Sequence, residues 1–249
     1  MIDRRYLENI SRITGLNLYQ QEKDYMLKLV LYYYYKNYDK AVFKGGTCIK
    51  YLFGTDRFSE DLDFNIITTP KKFREQIKKT IERISLLGFR FNILREEEFS
   101  DAFTCEVAFD GPLSRGTLQT RNKFRIDAGK RTGTFSNPQW KNIKSEYPET
   151  GDNFLVLSMK EEEMLAEKII SMMSRKKGRD LYDVWFLLNS GIKIDKNILK
   201  KKTQKEKVKI NIDAIPEKAQ YENDMKRISN RIIPYDQVRN DVRIRLKSI

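Results

Sequence analysis

Asp61 and Asp63 stand two residues apart in Arg57-Phe58-Ser59-Glu60-Asp61-Leu62-Asp63, at the head of a stretch that alternates polar and apolar residues to Ile66. In an extended strand, residues i and i+2 share a face. The two carboxylates therefore sit side by side and repel unless a cation lies between them. Mg²⁺ suits such a place, because it prefers hard oxygen ligands and keeps several of its waters. Leu62 and Phe64 point the other way, toward a core. The competing reading is an acidic strand end balanced by lysines. A third acid, Asp127 in Phe124-Arg125-Ile126-Asp127-Ala128, interrupts another apolar stretch. Aspartate is disfavoured in strands, so it is either a surface or turn residue or the third member of a two-metal set.

Upstream lies Phe43-Lys44-Gly45-Gly46-Thr47-Cys48-Ile49-Lys50. A glycine pair between a strand and a helix lets backbone N–H groups approach a phosphate, and the helix N-terminus adds favourable dipole charge. Thr47 offers a hydroxyl, and Lys50 follows one turn later. Taken alone, a glycine pair is equally a plain turn.

The composition narrows the chemistry further. The chain has 249 residues and no histidine. Ser-His-Asp triads, Cys-His dyads, HExxH zinc sites and histidine general bases are all excluded. Chemistry must come from carboxylates, Lys and Arg, hydroxyls or bound ions. Cys48 and Cys105 form no CxxC pair and predict no disulfide framework. Net charge is +13, which favours a polyanionic partner such as nucleic acid. The charge is uneven. Residues 191–249 carry 16 basic and 8 acidic groups, whereas 41–70 and 151–190 are each net −1. The apolar run Leu29–Tyr35 is too short to span a bilayer. Met1-Ile2-Asp3-Arg4-Arg5 leads into no apolar signal core. A cytoplasmic protein with no membrane partner is the expectation.

These residues need elements to hold them. The pattern predicts helices over 3–13 and 18–37, the second with Leu27, Val30, Leu31 and Tyr34 on one face. Tyr32–Tyr35 reads as core packing with phenolic tips at the surface; base stacking is the sharper alternative. A short strand 41–43, a helix 47–53 and the strand 61–66 follow. A helix 70–87 begins at Pro70 and buries Ile77, Ile81, Ile84 and Leu87. Strands are predicted at 89–94, 103–109 and 124–128, with a loop at 111–121 and an irregular stretch at 132–150. A strand ending at Ser158 leads into a helix 159–175, with Ser158 and Glu161 at capping-box spacing. A helix 179–189 follows, with Leu181, Trp185 and Leu188 as its core stripe. The rest reads as helical and lysine-rich. Residues 1–150 form the first domain and 151–249 a helical second one.

The pattern GGTxxxK…RFSEDLD resembles the AbiEii/AbiGii toxin family, a branch of the minimal nucleotidyltransferases related in catalytic fold to DNA polymerase beta. The resemblance continues through Gly111-Pro112-Leu113 and Arg125-Ile126-Asp127. It then takes in Ala166-Glu167-Lys168, Arg175, Arg179-Asp180 and Tyr182-Asp183. It covers roughly residues 40–190. It implies an α+β nucleotidyltransferase core with a mixed sheet flanked by helices, plus a mostly helical C-terminal domain that contributes Lys168 and Asp183.

The same resemblance implies nucleotide transfer from an NTP. Asp61, Asp63 and Asp127 would hold Mg²⁺ (or Mn²⁺), stabilising the leaving pyrophosphate and lowering the pKa of the attacking hydroxyl. Gly45, Gly46 and Thr47 would cradle phosphates, Ser59 would hydrogen-bond a phosphate oxygen, and Arg57 and Lys50 would offset phosphate charge. Lys168 falls among Leu165, Ile169 and Met172, close to a buried helix face, where a lysine needs a partner. Asp180 or Asp183 supplies one if an ion pair locks two helices. The family reading makes Lys168 a triphosphate contact, Asp183 a supporting or metal-linked acid and Arg179 a nucleotide contact. Arg179 and Asp183 are also spaced for an i,i+4 pair.

The best acceptor is the 3′ end of tRNA, with a cognate antitoxin as a further partner. AMP transfer to a protein and a non-catalytic nucleotide- or RNA-binding module are the alternatives. Lys200-Lys201-Lys202 and Lys205–Lys209 are either a solvated face or an RNA backbone contact.

Overall fold

The computed structural model describes residues 1–130, 136–211 and 213–247. Contacts divide the chain into two compact units. The first comprises Met1–Leu52, Glu60–Thr132 and Gln139–Ser158, and the second Phe53–Ser59, Gly133–Pro138 and Met159–Ile249.

Among the described residues, the first unit is built on a mixed seven-stranded sheet. Its elements run α1 (Arg4–Thr14), α2 (Leu18–Tyr35), β1 (Ala41–Lys44), α3 (Gly45–Phe53), β2 (Asp61–Ile66) and α4 (Pro70–Ser85). They continue through β3 (Arg90–Glu98), β4 (Ala102–Asp110), β5 (Asn122–Lys130), β6 (Gln139–Lys144) and β7 (Asn153–Ser158). The strand order is β3-β4-β5-β2-β1-β7-β6. β2 runs parallel to β5 and antiparallel to β1. β1 meets β7 in parallel at one registered pair, Phe43 opposite Ser158.

Period-2 patterning decides what each face of the sheet carries. Leu62, Phe64 and Ile66 of β2, Phe124, Ile126 and Ala128 of β5, and Phe103, Cys105 and Val107 of β4 are all buried. Phe64, Phe73 and Phe103 pack ring on ring at 5.6 and 6.0 Å between centroids, each ring contributing on the order of 1.5–3 kcal/mol by leaving water. Asp61, Asp63 and Asp127 occupy the alternate, half-buried positions of β2 and β5.

Both leading helices are closed by their own side chains. Asp3 caps α1, and Asn17 with Gln20 forms a capping box on α2, satisfying N–H groups that have no partner within the helix. Along α2 the predicted apolar face is correct but incomplete. Gln21, Glu22, Lys23, Asp24 and Lys28 are buried as well. Tyr34 and Tyr35 are core residues whose hydroxyls are also buried, on Gln76 and on the Ala41 and Leu157 carbonyls.

Local expectations fail at Leu87, which lies beyond the end of α4 and is half-buried, at Ser158 and within 132–150. Ser158 does not cap the following helix: it ends β7, buried, with its hydroxyl directed to the Gln139 carbonyl at 3.4 Å. The helix instead starts at Glu161, with no side-chain cap. The stretch read as irregular holds β6, which pairs antiparallel with β7 from Gln139 to Lys144. Residues 132–135 of that stretch lie outside the described residues.

The second unit is helical among its described residues: α5 (Glu161–Arg175), α6 (Gly178–Asn189), α7 (Lys196–Glu206), α8 (Lys218–Ile228) and α9 (Tyr235–Leu246). Gly178 opens α6 because a Cβ there would meet the Tyr221 Cα at 2.4 Å. The loop before β2 belongs to this unit, where Arg57 forms an isolated bridge with Ser229. Among the described residues, no helix is long and apolar enough to cross a membrane.

Candidate active site

In the first unit, the parallel register of β2 and β5 sets Asp63 directly beside Asp127, and Asp61 beside Arg125. The three predicted carboxylates therefore share one neighbourhood on one face. Gly45 adjoins them. Its φ of +80° favours glycine, and a Cβ there would lie 2.1 Å from Asp63 Oδ2. No side chain fits between the start of α3 and the Asp63 carboxylate. Gly45 and Gly46 form the first turn of α3 rather than a loop before it. The Thr47 hydroxyl donates to the Asp61 carbonyl at 2.5 Å and so ties α3 to β2.

Electrostatics mark the same place. Asp61 is pushed up to about 6, first by burial and then by the charges of Glu60, Asp63 and Asp127; Lys23 pulls it back in part. Lys23 pairs with Glu60 at 2.5 Å. Asp127 is held by the Thr104 hydroxyl at 2.7 Å and by Arg125 Nε at 2.9 Å. Carboxylates whose charges raise the proton affinity of Asp61 fit a divalent cation, whose charge would relieve the repulsion. Among the described residues no group of three or more acids or cysteines is arranged to hold a metal ion. Asp127 is turned toward Thr104 and Arg125.

Lys50 follows on α3 in the same unit. Its ammonium pairs with buried Asp24 at 2.6 Å. Asp24 also meets Lys28 at 3.6 Å and the Tyr147 hydroxyl at 3.0 Å. Burial alone would raise Asp24, but Lys50 and Lys28 outweigh it and hold the carboxyl at about 2. Lys50 thus anchors α3 to α2.

The second unit holds Arg57, Ser59, Lys168, Arg179 and Asp183. Arg57 and Asp183 are both buried and form a two-pronged pair, Nε to Oδ1 at 2.5 Å and Nη2 to Oδ2 at 2.6 Å. Lys168 bonds Asp183 at 2.8 Å and Asp180 at 3.3 Å. Arg175 bonds Asp180 at 3.0 Å. Burial works against the Asp183 charge, but Arg57 and Lys168 prevail and its carboxyl stays below the ordinary value. The predicted link between Lys168 and the acids of the next helix is present with both acids. The i,i+4 partner is not: Asp183 faces Arg57 and Lys168, and Arg179 is exposed. Ser59 is half-buried in the loop before β2.

Sequence reasoning passed over Thr104, Arg125 and the Asp24 cluster. Arg125 was within reach, since it stands two residues before Asp127 and shares its face by the rule that joined Asp61 to Asp63. Asp24 and Thr104 meet partners on other elements and leave no local trace.

The family model described as nucleotidyl transferase AbiEii toxin, type IV toxin–antitoxin system, matches residues 34–245. The nucleotidyltransferase toxin MenT4 of Mycobacterium tuberculosis H37Rv superposes with a TM-score of 0.69 at 16% identity, covering 98% of this chain and 88% of that one. JHP933 of Helicobacter pylori superposes at 0.60 with 17% identity, covering 94% and 92%. At such identities the likeness shows the fold. No individual curated protein matches the chain. With the family model spanning most of its length, the chain is a nucleotidyltransferase and belongs to the AbiEii toxin family.

Proposed function

We propose that the protein transfers a nucleotide from an NTP to the 3′ end of tRNA, with Mg²⁺ (or Mn²⁺) held by Asp61, Asp63 and Asp127. The observation that carries the reading is the set of three carboxylates on one sheet face beside a glycine turn that admits no side chain. Bound there, a divalent cation supplies charge neutralisation at the triphosphate and activation of the acceptor hydroxyl. The chain's own residues do the positioning. Gly45 and Gly46 present the N-terminus of α3 to phosphate oxygens. Thr47 keeps that helix end against β2. Ser59 and exposed Arg179 are further phosphate contacts.

Lys168 is the cation assigned to the triphosphate. Asp183 orients it, and Arg57 keeps Asp183 charged and fixed. Phosphoryl-transfer catalysis of this kind is chiefly positioning and electrostatic stabilisation, which suits a chain without histidine. The net charge of +13 favours an RNA acceptor over a neutral one. A cognate antitoxin is the partner that the family implies, and the cytoplasm is where tRNA and NTP are available together.

Incubation with each α-labelled NTP, Mg²⁺ and total tRNA tests the reading. Label should enter tRNA for the wild-type protein and not for Asp61→Asn. Label in a protein band instead would replace the acceptor. Pyrophosphate release from no NTP, under any acceptor mixture, would overturn the transfer itself.

A further inference from the structure

Arg125 is one of two cations in register with the acids of this face among the described residues, the other being Lys44, opposite Asp63 on β1. Arg125 lies opposite Asp61 in the β2–β5 register and two residues before Asp127. Its Nε is 3.1 Å from Asp127 Oδ1 and 2.9 Å from Oδ2, so a single N–H is shared between the two oxygens of the carboxylate. Thr104 donates to Oδ1 at 2.7 Å and needs no displacement for Oδ2 to become available. The Arg125 side chain is 56% exposed and Asp127 is 35% exposed. A half-exposed ion pair is a weak one, and the arginine is free to swing into solvent. Its neighbours are accounted for: Glu106, opposite Arg125 on β4, is taken by Lys123 at 2.7 Å, and Glu60 by Lys23.

We propose that Arg125 is a resident counter-cation, which neutralises Asp127 while the carboxylate set is empty and is exchanged for the divalent cation on loading. The inference rests on the metal-holding role proposed above. It assigns to Arg125 a positioning role: it keeps Asp127 aimed along the sheet and sets a threshold below which the site does not load.

The test is a Mn²⁺ titration of the full chain without nucleotide, read by the electron paramagnetic resonance of free Mn²⁺. Arg125→Gln should tighten binding by about fivefold, the scale of one charge at a partly exposed site. Lys123→Gln removes an equal charge two residues away on the same face and should change affinity less than about twofold. In an Asp127→Asn background the gain from Arg125→Gln should vanish, since the arginine acts through that carboxylate. Unchanged or weaker binding by Arg125→Gln overturns the exchange, as does an equal gain from Lys123→Gln or a gain that survives Asp127→Asn. If wild-type binding is present and lost in Asp63→Asn while Arg125→Gln is silent, the metal site stands and the exchange falls. A wild-type chain that takes up no Mn²⁺ overturns both. Thermal melts of each variant confirm the fold.

Discussion

At the scale of single residues, Gly45 and Asp61 bear the sharpest consequences. Gly45→Ala places a Cβ in the space of the Asp63 carboxylate at a backbone conformation that alanine resists. It should cost about 1–3 kcal/mol of stability and on the order of 100-fold in transfer rate through misplacement of Asp63. Urea denaturation and single-turnover labelling measure the two separately. Asp61 carries the opposite trade. Its folded value near 6 lies above that of an unfolded aspartate. Between about pH 4 and pH 6 the folded state therefore binds more protons, and stability falls as pH rises through that window before levelling off. Asp61→Asn should remove this loss and stabilise the metal-free protein at pH 7.5 by about 1–2 kcal/mol, after discounting for partial exposure, while abolishing transfer. Melting curves of both proteins from pH 4.5 to 7.5 check the sign. A wild-type melting temperature that climbs across that range relative to the variant would contradict it.

At the scale of elements, the buried ion cluster on α5 and α6 does what a local reading cannot foresee. Asp183→Asn leaves Arg57 buried with half its compensation and should cost about 3–5 kcal/mol. The contribution of Asp183 is complete above the ordinary aspartate range and is lost as pH falls through its lowered folded value. A denaturant series at pH 7 and pH 3 should show the wild-type advantage over Asp183→Asn shrinking with acid. What was legible follows the range of each interaction. The β2 alternation, Pro70 at the start of α4 and the i,i+2 acids are local patterns, and all lie where the sequence puts them. Ser158 misled because its capping box with Glu161 is a local pattern, whereas its position is decided by pairing with Gln139. Arg57 with Asp183, and Asp24 with Lys50, join residues far apart in the chain and have no periodic signature. Their partners can be named only after the fold is known.

At the scale of the whole molecule, the basic excess divides into structural and free charge. Lys202 is buried between Glu163 at 3.1 Å and Glu167 at 2.8 Å and belongs to the packing of α5 on α7. Lys200, Lys201 and Lys207 are exposed. If these three meet RNA phosphates, replacing them with glutamine should weaken tRNA binding and flatten its salt dependence by up to about 3 in slope. Filter binding from 50 to 300 mM salt would read the change. An unaltered slope would remove α7 from the RNA-binding surface.

The single registered pair between β1 and β7 gives the sheet a seam. On one side stand five strands laddered through long registers, and on the other only the β6–β7 hairpin. The Tyr35 hydroxyl spans the seam, 2.9 Å from the Ala41 carbonyl on β1 and 3.2 Å from the Leu157 carbonyl on β7. Such a join is where a sheet opens locally without unfolding. In native-state hydrogen exchange, the amides of β6 and β7 should form their own cooperative class, released well before those of β2, β4 and β5. Tyr35→Phe should release it earlier still, by about 1 kcal/mol, and leave the other strands unchanged. The hairpin would then breathe apart from the other strands, joined to them by one registered pair and one phenol.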